Sequence, residues 1–363
     1  MRLLHTSDWH LGRSFHRESL LPAQAAFADH LVETVRSERV DVVLVAGDVY
    51  DRALPPVDAV ALFDETLRRL RGLGVDTVII SGNHDSPVRL GFGAGLMDRI
   101  HLRTDPHQAW SPVVVNDVAF YGIPYLEPEL VRTPWNLPER THTAAMTHVM
   151  DRVRSDDAAP AKVVLAHAFV TGGAASDSER DITVGGVAHV PVRVFDGAGY
   201  VALGHLHGRQ TMSETVRYSG SPIAYSFSEA DHVKGSWLVE LGGPVDFVPA
   251  PVPRPLTRLR GRLDDLLALP PSDHWIQATL TDPVRPKAAM ERLRARFPHT
   301  VDLQFAPDDV PEAAPARPRL AGRPEIDVAL DFVREVRGEA ADPDERRILE
   351  EAAMACRIRE TMA

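Results

Sequence analysis

The stretch Val42-Val43-Leu44-Val45-Ala46-Gly47-Asp48-Val49-Tyr50-Asp51 determines what we expect of the first part of the chain. Its first five residues are apolar and mostly β-branched, which is typical of a strand buried on both faces. A glycine and a carboxylate follow directly. The stretch therefore predicts a buried strand that presents Asp48 at its carboxyl end.

Similar segments flank this strand. Residues 2–5 and 75–80 each predict a short strand, and apolar residues at helical spacing predict helices over 22–37 and 57–71. This alternation predicts parallel strands joined by right-handed crossovers. The polar residues that follow the three strands then lie at one edge of the sheet, where open α/β sheets bind ligands. They are Asp8, His10, Asp48, Asp51, Asn83, His84 and Asp85.

Two later strands also end in histidine. Lys162–Leu165 predicts a buried strand before His167, and Tyr200–Leu203 predicts one before Gly204-His205-Leu206-His207. A Gly-His-x-His sequence is weak evidence by itself, because a histidine at a strand end often only satisfies backbone groups. Its meaning therefore depends on the other strand ends.

Each of these residues also has a purely structural interpretation. Asp8 suits a helix cap, Asp48 and Asp51 suit turns, Asn83 suits a left-handed turn, and His167 suits a hydrogen-bonded core position. Five such clusters on one βαβ scaffold nevertheless favour a metal site strongly. A pair of divalent ions needs a bridging carboxylate with imidazole or oxygen ligands on each side, and mixed ligands of this kind suit Mn, Fe or Zn better than Mg or Ca.

Composition limits the class of protein. The chain has 363 residues, a net charge of −11 and one cysteine, Cys356, which excludes an internal disulfide and a thiolate metal cluster. We expect a cytoplasmic location and no membrane association, because no signal peptide or apolar run of membrane length is recognisable. The acidic balance argues against non-specific coating of nucleic acid but leaves a nuclease possible, since bound metal restores positive potential locally.

The remaining chain predicts further elements and boundaries. Residues 113–121 predict one strand, 141–154 a helix and Thr171–Asp181 a polar loop, whose Ser178-Glu179-Arg180 has no assigned role. Prolines at 249, 251, 253 and 255 form a stiff joint. Beyond the joint we expect strands over Leu256–Leu263, His274–Leu280 and Thr300–Phe305, a helix over 285–297, and two terminal helices, the second starting at Asp342-Pro343-Asp344-Glu345.

The motif set resembles that of the calcineurin-like metallophosphoesterases. Asp8-x-His10, Gly47-Asp48-x-x-Asp51, Gly82-Asn83-His84-Asp85, the isolated His167 and Gly204-His205-x-His207 match the five signature motifs of that family. The sequences Leu4–Gly12 and Tyr218–Pro222 are more similar to the nuclease subunits that act with an SbcC-type ATPase. The resemblance implies an α/β fold, a β-sandwich flanked by helices with a small α/β capping domain and C-terminal helices.

The resemblance also implies domain boundaries and roles. It gives residues 1–250 as the nuclease domain, 251–307 as a capping domain that orients DNA ends, 308–324 as a linker and 325–363 as helices that dock on the ATPase. One metal is expected on Asp8, His10, Asp48 and His207, and the other on Asp48, Asn83, His167 and His205. His84 is expected to contact the scissile phosphate or protonate the leaving oxygen, with Asp85 holding its ring.

The expected function is a Mn-dependent DNA nuclease subunit that uses two divalent ions, under the control of an SbcC-type coiled-coil ATPase. We expect it to cleave duplex ends and hairpins, to act in DNA repair, recombination and replication, and to be associated with the nucleoid. Phosphate contacts are expected from Arg13, Ser14, His16, Arg52 and Arg89, although solvated surface arginine is an equal alternative. The helix at 57–71 and the segment 89–100 are expected to form a homodimer interface within a heterotetramer.

Two other functions remain open at this stage. A small-molecule phosphodiesterase acting on cyclic nucleotides would use the same metals but would need no segment after residue 255. A catalytically inactive scaffold that binds DNA ends would lack at least one ligand, and none is missing.

Overall fold

The computed structural model describes residues 1–180, 189–308 and 324–361. Met1–Pro307 form one compact unit, and the described residues from Asp308 onward form a second. The expected linker at 308–324 lies almost entirely outside the described residues, as does Asp181 at the end of the polar loop. No helix in the described ranges is both long and apolar enough to cross a bilayer.

Two six-stranded sheets form the body of the first unit. The first sheet has the order Val245–Pro249, Gly235–Glu240, Arg2–Thr6, Val42–Ala46, Asp76–Ile80 and Ile100–Arg103. The second sheet has the order Gln210–Thr211, Val216–Tyr218, Tyr200–Gly204, Ala161–His167, Val118–Ile123 and Val113–Val115. Short strands at Ser14–Phe15 and Glu18–Ser19 and at Phe169–Val170 and His189–Val190 form two small pairs.

The predicted parallel arrangement is confirmed. Val42–Ala46 pairs in parallel with Arg2–Thr6 on one side and with Asp76–Ile80 on the other. In the second sheet, Ala161–His167 and Tyr200–Gly204 are also parallel neighbours. The carboxyl ends of five strands that precede polar clusters are therefore gathered at two sheet edges.

The helices cover the outer faces of the sheets. Helices Leu21–Ser37 and Val57–Gly72 pack on the first sheet, and His142–Ser155 packs on the second. A core of aliphatic and aromatic side chains fills the space between the sheets, including Leu44, Ile80, Phe120, Leu165 and Ala202. These side chains are fully buried, and each larger one contributes about 1.5–3 kcal/mol. The structure is thus the expected α/β sandwich flanked by helices.

One predicted strand is in fact a hairpin. Residues 113–121 divide into Val113–Val115 and Val118–Ile123, which pair antiparallel. The turn residues Asn116 and Asp117 have φ of 46° and 63°. A two-residue turn with both residues in the left-handed region matches the twist of a hairpin, so the single-strand prediction was wrong.

A three-stranded parallel sheet follows the proline joint, formed by Leu256–Gly261, Trp275–Leu280 and Thr300–Phe305. The expected strand Leu256–Leu263 stops at Gly261, and Leu263–Ala268 form a helix whose Leu263 and Leu266 are buried. The helix expected over 285–297 begins only at Ala289. Both helices cover one face of this sheet.

The second unit contains two helices, Glu325–Arg337 and Pro343–Thr361, as the sequence predicts. The first ends at Gly338, whose φ of 80° gives a left-handed cap. At the start of the second, the Asp342 carboxylate accepts bonds from the backbone of Asp344 and Glu345, and Glu345 accepts one from the backbone of Asp342. This reciprocal pairing is the predicted capping box.

Candidate metal centre

Strand ends from both sheets bring the predicted metal-ligating side chains together. The first sheet supplies Asp8, His10, Asp48, Asn83 and His84, and the second sheet supplies His167, His205 and His207. All are buried except Asn83, which is partly exposed. The site thus lies where the carboxyl ends of the two sheets meet.

The backbone at this site is strained. Asp8, His10, Asp48 and His205 have φ of 54°, 44°, 49° and 109°. Each such conformation costs a non-glycine residue on the order of 1–3 kcal/mol, and residues of this kind concentrate at functional sites. Backbone bonds hold them, because Asp8 N donates to Gly47 O at 3.0 Å and His10 N donates to Asp48 O at 2.9 Å.

Two glycines make room for close contacts here, Gly204 between the two sheets and Gly82 between neighbouring turns of the first sheet. A Cβ atom at Gly204 would collide with the carbonyl oxygen of Ala46 on the facing sheet, and one at Gly82 would collide with the Asp48 carboxylate. The glycines in the Gly-Asn-His-Asp and Gly-His-x-His motifs therefore keep space for the neighbouring ligands.

One group of donor atoms surrounds His10. Its Nε2 lies 3.1 Å from His207 Nε2 and 3.6 Å from Asp48 Oδ2. Asp8, His10 and His207 each offer one ligand atom within 4.8 Å of the others. These residues are able to hold a metal ion.

A second group surrounds His167. Its Nε2 lies 2.9 Å from Asn83 Oδ1 and 3.5 Å from Asp48 Oδ2, and His205 Nδ1 lies 3.3 Å from the same Asn83 oxygen. Asp8, Asp48 and His167 form another set whose donor atoms lie within 4.8 Å of one another. Asp48 Oδ2 is thus near the donor atoms of both groups.

Burial sets the protonation of these groups. Desolvation, followed by the nearby Asp48 charge, raises the pKa of Asp8 well above its ordinary value. Burial, followed by neighbouring histidines, lowers the pKa of His10 and His205 well below the ordinary value. His10 and His205 are therefore neutral at pH 7, which leaves a ring nitrogen lone pair on each for a metal.

The donor set fits divalent cations. The rings of His10 and His207 face each other through Nε2 at 3.1 Å, and two buried carboxyl groups lie beside them. His10 Nδ1 is buried and has no hydrogen-bond partner within the described residues. A divalent cation held by these residues would use the ring lone pairs and offset the carboxylate charge.

His84 has a different environment from the other histidines. Its Nδ1 donates to Asp51 O at 2.8 Å, and its Nε2 lies 4.0 Å from Asp48 Oδ2. Its ring meets that of His10 edge to face at 4.6 Å. His84 therefore borders the donor groups with Nε2 directed at the carboxylate they share.

Asp85 does not hold the His84 ring, contrary to the sequence-based expectation. Its carboxylate accepts backbone N–H bonds from Val49, Tyr50 and Gly82, at 3.1, 2.9 and 2.9 Å. Asp85 thus joins the turns after two neighbouring strands, and the ring is held by the carbonyl of Asp51 instead. Burial and the Asp48 charge raise the pKa of Asp85 to about 7.

The expected DNA contacts lie around the centre but differ in position. Arg13 packs over the Tyr225 ring at 4.9 Å and donates to Ser178 O at 3.0 Å. His16 lies exposed at the tip of the Ser14–Ser19 hairpin. Arg52 and Arg89 are exposed, and Arg89 donates to Ala53 O.

The sequence interpretation missed a buried polar network behind His207. Ser178, Glu229 and Lys234 form it, and Glu179 adds a bond to the backbone of His207. The only sequence signal was the unassigned Ser178-Glu179 in a polar loop. Glu229 and Lys234 carried none, because charged residues are rarely buried and the other groups they contact, Ser178 and His207, lie in distant segments of the chain.

Fold and site together define a metal-dependent phosphoesterase. The chain belongs to the calcineurin-like phosphoesterase family, whose model matches residues 1–209. Residues 252–337 match a second model, SbcD_C, described as the type 5 capsule protein repressor C-terminal domain. The two matches together are consistent with the SbcD nuclease subunit.

Several solved structures are similar at low sequence identity. TT1561 of Thermus thermophilus is 13% identical and a dimetal phosphatase from Danio rerio is 14% identical; each match covers 69% of this chain and 99% of the other, with a TM-score of 0.42. GAP50, titled the anchor in the inner membrane complex of Plasmodium, is 13% identical over 86% of this chain and 98% of its own, with a TM-score of 0.44.

Proposed function

We propose that the protein is the nuclease subunit of an SbcCD-type complex and hydrolyses DNA phosphodiester bonds with two divalent ions, most favourably Mn²⁺. The observation that carries this proposal is the coexistence of the His/Asp centre with the SbcD_C match after residue 251. Its substrates are duplex ends and hairpins, in repair, recombination and replication at the nucleoid. The SbcD_C match is what favours DNA over a cyclic nucleotide.

The two donor groups correspond to two metal positions. Asp8, His10 and His207 would hold one ion, and Asn83, His167 and His205 would hold the other. Asp48 would contribute to both positions, because its Oδ2 lies 3.6 Å from His10 Nε2 and 3.5 Å from His167 Nε2. When bound, the ions supply a water of lowered pKa and neutralise charge on the phosphate.

His84 is the catalytic residue of this chain. The bond from its Nδ1 to Asp51 O leaves Nε2 to contact the scissile phosphate or to protonate the leaving oxygen. A positioned acid of this kind contributes roughly 10²–10⁴-fold. Asp85 acts indirectly, because it fixes the turns that carry Asp48 and His84.

DNA reaches the centre along a groove beside Arg13. A cavity of about 480 Å³ lies between the Ser14–Phe15 strand and the three-stranded sheet. Arg13, His16, Arg258 and Gln277 line it and are suited to phosphate and sugar contacts, which position a strand without reading its sequence. Arg52 and Arg89 extend the basic surface. In this role residues 251–307 act as the capping domain of the nuclease domain at 1–250.

Two exposed apolar surfaces support the proposed partners. Val57, Val88, Phe92 and Leu96 are each more than four-fifths exposed, and they belong to the segments expected in a homodimer interface or lie beside them. The helices of the second unit expose further apolar side chains, which suit docking on an SbcC-type ATPase. These are Phe332, Val336, Ile348 and Met354.

The proposal is tested by incubating the full chain, with its ATPase partner, on end-labelled duplex and hairpin DNA with Mn²⁺, and separately on cyclic nucleotides. We expect DNA cleavage that stops when EDTA removes the metal. Intact DNA together with hydrolysed cyclic nucleotide would refute the nuclease assignment and favour the small-molecule phosphodiesterase.

A further inference from the structure

The polar loop that follows His167 contacts His207, one of the proposed metal ligands. Ser178 Oγ lies 2.5 Å from His207 Nδ1, and it also donates to Glu229 Oε1. The Glu229 carboxylate is fully buried and pairs with Lys234, which is 5% exposed. A hydroxyl thus connects the imidazole to a buried charge.

The backbone of His207 is held by the same network. Its N–H donates to Glu179 Oε1 at 2.7 Å, and its carbonyl accepts from Lys234 Nζ at 2.8 Å. Lys234 also donates to Ser221 Oγ at 3.0 Å. Hydrogen bonds therefore hold His207 at ring atom Nδ1, at the backbone N–H and at the carbonyl. Its Nε2 is left to face His10.

His207 differs in this from the other histidines of the centre. The Nδ1 atoms of His167 and His84 lie on backbone carbonyl oxygens, of Ala46 and Asp51, whereas His10 Nδ1 has no hydrogen-bond partner in the described ranges. A carboxylate behind a ligating imidazole fixes its tautomer and makes it a better electron donor. Here the carboxylate acts through the serine hydroxyl.

We propose that Ser178, backed by Glu229 and Lys234, is a positioning residue that makes His207 the Nδ1–H tautomer and thereby strengthens the metal position shared with His10. The proton order is His207 Nδ1–H to Ser178 Oγ, and Ser178 O–H to Glu229. This leaves Nε2 unprotonated for the ion. The inference rests on the proposed two-metal function and assigns the Ser178-Glu179 segment a role within it.

The test compares Mn²⁺ binding to the full chain and to Ser178→Ala by isothermal titration. We expect the wild type to bind two ions and the variant to bind one of them roughly 10–100-fold more weakly, with the other affinity unchanged. Ser228→Ala is the matched control, since the Ser228 hydroxyl accepts from Asp177 N in the same loop without touching a ligand. Unchanged binding in Ser178→Ala, or equal weakening at both positions, would overturn the proposal.

A second measurement does not depend on metal. In metal-free protein with ¹⁵N-labelled histidine, the signal absent from His207→Gln identifies His207. We expect the Nδ1–H tautomer in the wild type and its loss in Ser178→Ala; the same tautomer in both would overturn the inference. If the wild type binds fewer than two ions, the proposed function fails on that count, and the tautomer comparison still decides the role of Ser178.

Discussion

His10 and His207 face each other through their Nε2 atoms at 3.1 Å, although one follows a strand of the first sheet and the other a strand of the second. Their contact joins the two halves of the sandwich at the candidate metal centre. A substitution that changes the charge or the bound metal at this contact is therefore expected to change both the affinity for metal ions and the free energy of unfolding.

Asp48→Asn is expected to reduce Mn²⁺ binding from two ions to at most one, because the bridging carboxylate is lost. The metal-free protein is expected to become more stable by about 1 kcal/mol, since one of two buried neighbouring carboxyl groups is neutralised. Mn²⁺ titration and thermal unfolding measure the two effects. Asp76→Asn is the control, because Asp76 pairs with Arg99 at the amino end of the strand Asp76–Ile80, whereas the candidate metal centre lies beyond its carboxyl end. An Asp48→Asn protein that still binds two ions would contradict the bridging role.

His84→Gln is expected to reduce DNA hydrolysis roughly 10²–10⁴-fold while two Mn²⁺ ions still bind. The reason is that His84 is assigned to the phosphate and the other histidines to the ions. Cleavage rates and Mn²⁺ titration on the same preparation check this. His10, Asp48 and His84 also form a set able to hold metal. If His84→Gln lost both a bound ion and its activity, His84 would be a metal ligand instead.

The stability of the protein is expected to depend on His5 at acidic pH. Burial lowers the pKa of His5 to about 3, while its ring contacts Tyr200 OH and Leu203 O. Because the folded-state pKa lies below the unfolded value of about 6.5, this contribution is complete above pH 6.5 and is lost as pH falls toward 3. The maximum slope is about 1.4 kcal/mol per pH unit.

The measurement is the free energy of unfolding of metal-free wild type and His5→Gln between pH 4 and 7. We expect a shallower pH dependence in the variant, which has no imidazole to protonate. Parallel curves would show that His5 does not titrate as its burial requires.

Replacing Arg52 and Arg89 together by alanine is expected to weaken duplex binding and to reduce the slope of log affinity against log salt by about 2, one unit for each lost phosphate contact. Fluorescence anisotropy at several salt concentrations measures this. Arg36→Ala is the control. Arg36 pairs with Glu33 at the carboxyl end of the helix Leu21–Ser37, which leads into the amino end of the strand Val42–Ala46, whereas the candidate metal centre follows the carboxyl end of that strand. An unchanged salt slope would mean that the two arginines are only solvated surface residues.

Leu96→Glu combined with Phe92→Glu is expected to convert a dimer into a monomer, because these exposed apolar side chains would otherwise be buried between two copies. Sedimentation velocity measures the mass in solution. Val284→Glu, at another exposed apolar position, is the control and should not change it. A dimer that survives both substitutions would place the interface elsewhere.

The candidate metal ligands could be identified from the sequence because they directly follow strand ends. A buried strand such as Val42–Ala46 has a clear apolar pattern, and parallel pairing then brings Asp48 beside the residues after the adjacent strands. His167 and His205 were grouped with these residues from their strand-end positions, but only the β-sandwich implied by the family resemblance places them on a second sheet, since strand patterns do not say which sheet faces which. The geometry shows that the two sheets meet at Gly204 and Ala46.

Other features depend on contacts that local patterns do not encode. Asn116-Asp117 was overlooked as a turn because both flanking segments are apolar, and Asp85 bonds to backbone groups rather than to the neighbouring ring. Ser178 lies in a different segment from Glu229 and Lys234, and the role of the three residues is apparent only when His207 is placed among them. The sequence therefore identifies the donors more readily than the residues that orient them.

The two-metal assignment is tested most directly by anomalous diffraction at the manganese absorption edge from crystals of the full chain soaked in Mn²⁺. We expect two peaks roughly 3.5–4 Å apart, one beside His10 and His207 and the other beside Asn83 and His167, with Asp48 between them. A single peak, or peaks remote from Asp48, would contradict it.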